Sequence, residues 1–269
     1  MTSTYDNVPL VYGTDTNIRL ITRLPGPALY DGNETKVNCK FQVLPLTQDL
    51  TYTAISYMWS EEKTTVDIIL DGARLAVRTN LYQLLLTLSK SKSSPDLLWA
   101  DAICINQKDV HERNHQVGLM GKIYSQATNV LVWLGSENED ICKAIWHLRT
   151  TSMVHESKSH KTLRSALESL HQVLYESTLP LVVDPSLKRE LLLSYFDESN
   201  NASRQLLALC THLYWSRVWI VQEIFLAKVV CIQCANSRLY DLDDLYSRIE
   251  FIQNGLKQGE SLDQDLEIV

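Results

Sequence analysis

The chain has 269 residues, 45% of them hydrophobic and 21% charged, which is enough apolar material to bury a sizeable core without disulfide staples. The formal net charge is −7, the pI is about 5.5 and no basic stripe stands out, which argues against nucleic acid as a general partner. The start, MTSTYDNVPLVYG, lacks the basic-then-apolar order of a secretion signal, and no apolar run approaches the roughly 20 residues of a membrane helix, so the expectation is a cytoplasmic protein, off membranes, with its six cysteines reduced.

Residues 1–17 read as a flexible lead-in. Ile18 to Thr22 and Lys36 to Leu44 are short strand candidates, separated by the turn residues Pro25, Gly26, Pro27, Gly32 and Asn33, and are expected to form a hairpin at a sheet edge. Tyr52 to Trp59, YTAISYMW, is a strand of mixed apolar and hydroxyl character. Val66 to Leu70, Asp71-Gly72 and Leu75 to Val77 spell another hairpin, because Asp-Gly suits a two-residue turn. Asn80 is placed to cap a helix whose apolar face is Leu81, Leu84, Leu85 and Leu88.

The centre of the chain is Leu97 to Gly135. Leu97 to Ile105 is a mostly apolar run interrupted by Asp101, and Val130 to Leu134 is a second such run, both with the character of parallel strands covered on two faces. Between them Val117, Met120, Ile123, Tyr124 and Ala127 recur at steps of three and four, the stripe of an amphipathic helix. Strand, helix, strand is a βαβ unit, and ligands of open α/β sheets bind beyond the carboxyl ends of the strands. Asp101, Asn106, Gln107, Glu112, Arg113 and Gln116 cluster at that end, where for most of them a role as caps and turns is the simpler account.

Residues 136–204 carry helical stripes, beginning with Ile141, Ala144, Ile145 and Leu148, and read as a helical insertion without chemistry. Gln205 to Ala227 returns to a dense pattern: Tyr214, Val218, Val221 and Phe225 form one stripe, and Trp215, Trp219 and Glu223 form a line one turn apart beside it. A carboxylate in line with two indoles is unusual company, although an arginine nearby, Arg217, would make it an ordinary ion pair. Val229 to Cys234 is a short strand, and Leu242, Leu245, Ile249 and Ile252 mark a last helix. The domain is expected to run over 18–256 and to leave 257–269 as a frayed tail, with further domains expected in a longer chain.

His111-Glu112-Arg113-Asn114-His115 fits the H-E-x-x-H zinc pattern, but it opens a helix directly after a polar loop and no third ligand is at hand, so no metal is expected there. Cys231-x-x-Cys234 is a lone pair on a strand and is expected to be two buried thiols. No P-loop, G-x-G-x-x-G or G-x-S-x-G occurs.

Three blocks in this order, YTAISYMWS, LLWADAICINQKDVHERNHQVGLMGKIYSQATNVLVWLG and WSRVWIVQEIFLA, resemble the fungal heterokaryon-incompatibility (HET) domain. Matching positions include Ser56, Tyr57, Trp59, Asp101, Asn106, Gln107, Glu112, Arg113, Gln116, Trp219, Gln222 and Glu223, whereas Ser60 stands where the family usually has Gly. The resemblance implies non-self recognition between fused fungal cells, ending in programmed cell death. A more distant likeness is to the TIR domain. It implies a flavodoxin-like α/β fold with a parallel sheet, helices on both faces and here a helical insertion. In that family a Trp-Cys-x-x-Glu helix carries the glutamate of the NAD⁺-cleaving members; here Ile220 replaces the Cys. The implied activity is an NAD⁺ glycohydrolase with Glu223 catalytic, Tyr57, Trp59, Asp101, Arg113 and Trp219 binding substrate, no metal, and NAD as substrate rather than cofactor. The alternative is a non-enzymatic death-signalling adaptor. Self-association and other incompatibility proteins are the expected partners in either case.

Overall fold

The computed structural model describes residues 4–10, 16–24, 28–30, 33–35, 37–59, 64–91, 95–136, 138–151, 204–205, 208–209, 212–217 and 219–240. They divide into two compact units, Met1–Ser136 with Ser216–Asn236, and Glu137–Trp215 with Ser237–Val269.

In the first unit eight strands share one sheet. In chain order they are β1 (Asn17–Arg23), β4 (Asn38–Pro45), β5 (Thr53–Tyr57), β6 (Thr65–Leu70), β7 (Ala73–Arg78), β8 (Leu97–Trp99), β9 (Asn129–Trp133) and β10 (Val230–Cys234); β2 (Ala28–Tyr30) and β3 (Asn33–Thr35) pair separately. Across the sheet the order is β10-β9-β5-β8-β1-β4-β6-β7. The four strands from β10 to β8 are parallel, as expected for β5, β8 and β9. The sheet expected to be parallel is mixed: β1 runs antiparallel to both β8 and β4, and β6 is antiparallel to β7 in the hairpin expected there. The hairpin expected at an edge, β1 with β4, lies inside the sheet, and the edge is β7. Both residues of the β6–β7 turn have positive φ, 51° at Asp71 and 77° at Gly72, the geometry that matches the twist of a hairpin.

Two other boundaries differ from the sequence pattern. The strand expected over Leu97 to Ile105 ends at Trp99, and Asp101–Cys104 forms one helical turn, α2, closed by Cys104 N–H on Ala100 O at 2.7 Å. Ile103 and Cys104 are buried in that turn, so the apolar run continues without the strand; a short buried run has no periodicity to separate the two cases. The strand expected over Tyr52 to Trp59 is five residues long, and the chain beyond it is fastened by Asn80. Asn80 does not cap α1 (Thr79–Lys90) but donates to Met58 O at 2.9 Å and accepts from Trp133 Nε1 at 2.8 Å.

Strand alternation places the helices. Trp133 pairs with Tyr57 and meets Asn80 of α1, so α1 covers that face of the sheet. Trp99 pairs with Ala54, two residues from Ser56, and packs edge-on against Tyr124 at 5.5 Å between ring centroids. Tyr124 belongs to α3 (Val110–Gln126), which therefore covers the opposite face beside α5 (Ile220–Phe225), its Gly121 close against Leu226. Asp109 caps α3, accepting from His111 and Glu112 N–H. The buried line of α3 is Glu112, Gln116, Met120, Ile123 and Tyr124; Val117, expected in the stripe, is exposed.

Glu112 is buried because Arg19 is. Arg19 sits in β1, 1% exposed, and its guanidinium meets Glu112 twice, at 2.5 and 2.9 Å. It also donates to Val8 O and Cys104 O and lies 5.0 Å from the Tyr5 ring centroid. Glu112 Oε1 further accepts from Asn106 N–H at 2.6 Å, which closes the loop ahead of α3.

In the second unit α4 (Glu139–Thr151) packs on β11 (Ser237–Tyr240), and its expected stripe of Ile141, Ala144 and Ile145 is buried. The remaining insertion stripes, the helix expected from Leu242 and the tail lie outside the described residues. Among the described residues no helix is long and apolar enough to cross a membrane.

Candidate functional site

Among the described residues of the helix expected over Gln205 to Ala227, a 3₁₀ turn lies at Leu213–Ser216 and the short α5 at Ile220–Phe225, with Arg217 in neither, so the Trp215–Trp219–Glu223 line is not one continuous helical face. Of its expected buried stripe Tyr214 is buried, Phe225 is exposed, and Val218 and the Val221 side chain lie outside the described residues. Glu223 is 1% exposed, and Trp219, the residue before α5, is 48% exposed.

Glu223 reaches the penultimate residue of β5. The Ser56 hydroxyl donates to Glu223 Oε2, and Arg217 grips the carboxylate with both arms, Nη1 to Oε2 and Nη2 to Oε1, each at 2.9 Å. Arg217 Nη1 also lies 3.3 Å from Ser56 Oγ. Two parallel N–H···O bonds between planar groups form the strongest and most directional kind of ion pair. Its partner side chains are unequally buried, 1% exposed for Glu223 and 19% for Arg217.

Asp101 stands just past the end of β8. Its Oδ1 accepts from Ala102 N–H at 2.7 Å and its Oδ2 from Trp59 Nε1 at 3.2 Å, while Gln107 holds its carbonyl at 2.9 Å. Burial pushes its carboxyl up to about 6; the nearby Glu223 charge adds to the rise, and the Ala102 N–H, Arg217 and Trp59 oppose it. Tyr57 is buried beside it. Burial first, and then the Asp101 charge, raise the Tyr57 phenol well above its ordinary range. Its hydroxyl faces Asp101 and, among the described residues, has no partner in full hydrogen-bonding geometry. Trp59 is 42% exposed, with the Arg78 guanidinium 5.9 Å from its ring centroid.

The expected residues Tyr57, Trp59, Asp101 and Glu223 are thus linked by hydrogen bonds or by charge at the carboxyl ends of β5 and β8. Trp219 sits one helical turn before Glu223, and its carbonyl accepts from Glu223 N–H at 3.2 Å. Arg113 is the exception: it is exposed on α3, and none of the bonds that join this cluster involves it. The cation of the site is Arg217, six residues before Glu223, the arginine whose nearness in the sequence already offered Glu223 an ion pair. Ser56 was legible as part of the YTAISYMWS block but not as the partner of Glu223.

The H-E-x-x-H segment does other work. His111 is exposed, and the Glu112 carboxylate is taken up by Arg19 and Asn106. Cys231 and Cys234 are buried in β10.

The raised Asp101 carboxyl has a consequence for stability. A carboxyl whose folded value lies above its unfolded one binds more protons when folded. Its ionisation therefore lowers stability as pH rises from about 4 to about 6, and the loss persists above that window. Asp101→Asn has no such charge. The stability difference between Asp101→Asn and the parent is expected to move in favour of the variant by about 1–2 kcal/mol between pH 4 and pH 8. Urea unfolding of both proteins across that range measures it, and a pH-independent difference would refute the assignment.

Residues 52–223, more than half of the chain, match the family described as heterokaryon incompatibility protein (HET). Over 148 residues the chain is 33% identical to heterokaryon incompatibility protein 6, OR allele, of Neurospora crassa; the match covers 51% of this chain and 21% of that relative. The chain thus spans about a fifth of the length of the curated relative it matches. No solved structure matches it. The matched segment runs from the residue before β5 to Glu223 itself and so contains every residue of the Ser56, Asp101, Arg217 and Glu223 cluster: the chain belongs to the heterokaryon incompatibility (HET) family.

Proposed function

We propose that this chain acts in fungal incompatibility and the cell death that ends it, and that it does so by cleaving the nicotinamide–ribose bond of NAD⁺ with water. The observation that carries this is the pair of carboxyl groups, Glu223 and Asp101, at the carboxyl ends of parallel strands, with the exposed Trp59 indole bonded to Asp101 and the exposed Trp219 one helical turn before Glu223. The parallel strands β8-β5-β9-β10 stand in the order second, first, third, fourth along the chain, which agrees with the start of a flavodoxin-like sheet, whose ligands bind beyond the strand ends. The name of the Neurospora relative supports the incompatibility role.

The chemistry suits the groups. The bond breaks through an oxocarbenium-like ribose cation, as in glycoside hydrolysis. A carboxylate held close, in a water-poor setting, stabilises that cation more than one in bulk water does. Glu223 is assigned that role. Asp101, protonated in part near pH 6, offers both a donor and an acceptor to ribose hydroxyls. Trp59 and Trp219 present planar faces for the adenine or nicotinamide ring. Nicotinamide leaves with the bonding pair, water adds to the ribose carbon, and ADP-ribose, nicotinamide and one proton are the products.

One observation favours a second reading, a non-enzymatic self-associating module: Glu223 is buried and fully engaged by Arg217 and Ser56. Incubation of the purified chain with NAD⁺ at several protein concentrations separates the two. Release of free nicotinamide is the expected result. Its absence at every concentration, with the chain still able to kill cells, would favour the adaptor.

A further inference from the structure

We propose that Arg217 is an anion-binding residue held in reserve by Glu223, and that a diphosphate-bearing ligand draws the guanidinium off the carboxylate and so opens Glu223 to the ligand's sugar. The inference rests on the reading of this site as one for a dinucleotide.

The starting point is a conflict. A carboxylate that is to face a ribose must have free lone pairs and a path to solvent. Glu223 is 1% exposed, and its oxygens accept three hydrogen bonds, two from Arg217 and one from Ser56. One partner has to leave. Ser56 gives little: its backbone is fixed within β5, buried and in register with Val132 of the neighbouring strand, and turning its small uncharged hydroxyl away leaves both arms of Arg217 on the carboxylate. Arg217 can leave. It comes from the irregular segment between the 3₁₀ turn and α5, and its side chain is the partly exposed member of the pair.

The guanidinium fork fits a phosphate as well as it fits a carboxylate, with the same two parallel bonds. A diphosphate therefore replaces Glu223 bond for bond. The carboxylate that is left behind is not stranded, because a ribose offers it two hydroxyl donors in place of the two lost N–H groups. The exchange conserves the number of charge-assisted bonds, and it couples recognition of the ligand's phosphates to exposure of the acid. A ligand with phosphates but no sugar opens the pair at a cost; a sugar without phosphates meets it closed.

Because Glu223 and the ligand compete for one cation, removing the Glu223 charge has to strengthen anion binding. A pair that is merely structural makes the opposite demand, since loosening the helix that holds the site weakens whatever binds there. Inorganic pyrophosphate is the probe, titrated by calorimetry at constant ionic strength into the parent chain, Glu223→Gln, Arg217→Gln and Arg217→Lys, each checked for folding by circular dichroism. Glu223→Gln is expected to bind pyrophosphate about tenfold more tightly than the parent, as expected when a competent state ceases to be the minor one. Arg217→Gln is expected to lose binding. Arg217→Lys, which keeps the charge without the fork, is expected to fall between the parent and Arg217→Gln and serves as the test if Arg217→Gln does not fold. Unchanged or weaker binding by Glu223→Gln, or parental affinity in either Arg217 variant, would overturn the inference. NAD⁺ cleavage is measured separately. Tighter pyrophosphate binding by Glu223→Gln without any cleavage in the parent would leave Arg217 as an anion site and remove the enzymatic reading; cleavage with no change in anion affinity would do the reverse.

Discussion

Glu112→Ala is expected to cost about 3–5 kcal/mol of stability, a large share of what a domain of this kind has. The reason is what it leaves behind. Arg19 stays in the middle of the sheet, 1% exposed, and loses both bonds to its counter-charge while keeping only the carbonyls of Val8 and Cys104. The Asn106 N–H loses its acceptor as well, so the loop between α2 and α3 is released. Replacing both partners by apolar residues of similar length, Arg19→Met with Glu112→Leu, removes the buried charge and its counter-charge together and is expected to recover most of the loss. Urea unfolding of the parent, the single variant and the double variant measures this. A double variant no more stable than Glu112→Ala would show that the pair matters for its shape rather than for its charge.

Glu223→Gln is expected to reduce NAD⁺ cleavage by about a hundredfold or more, the usual consequence of losing a group aimed at developing charge. The substitution also disturbs the fold, because a glutamine at 223 accepts with one oxygen where the carboxylate accepts with two, and it sets an amide N–H₂ against the Arg217 guanidinium. A stability loss of about 1–3 kcal/mol is expected from the broken charge-assisted bonds. Activity therefore has to be read at a temperature where unfolding measurements show the variant folded. A folded Glu223→Gln protein with full cleavage would remove Glu223 from the chemistry. Loss of cell killing by the variant, with no cleavage by the parent at any concentration, would make the Ser56–Arg217–Glu223 cluster a structural clamp on a signalling module.

The parts of the fold that could be read from the chain are those governed by near neighbours. The β6–β7 hairpin follows from Asp71-Gly72, since only a few residue types accept positive φ twice in succession. Val130 to Trp133 is a central strand because it is apolar on both faces, and Leu81, Leu84, Leu85 and Leu88 form a helix face because they recur at helical spacing. Where polar residues occupy buried positions the same method fails. The inner line of α3 begins with Glu112 and Gln116, so the apolar pattern points to Val117, which is exposed. Arg19, set between Ile18 and Leu20, gave no hint that it was buried, because its partner is 93 residues away.

The sequence by itself determined the α/β class, the parallel set β5, β8 and β9, and the family, and it offered Tyr57, Trp59, Asp101 and Glu223 as candidates, because these rest on composition, spacing and motif blocks that are local or ordered along the chain. Only the tertiary structure decided that β1 and β4 lie inside a mixed sheet, that Asp101 opens a helical turn instead of interrupting a strand, and that Arg113 takes no part in the bonds that join the cluster. Ser56 and Glu223 are 167 residues apart, and they meet because β5 is central in the sheet and α5 packs beside α3 on its Ser56 face. Side-chain periodicity reaches a few residues along the chain and carries no information about which strand is whose neighbour; that choice belongs to the packing of the whole core, and the ion pair forms only where the core brings its two ends together.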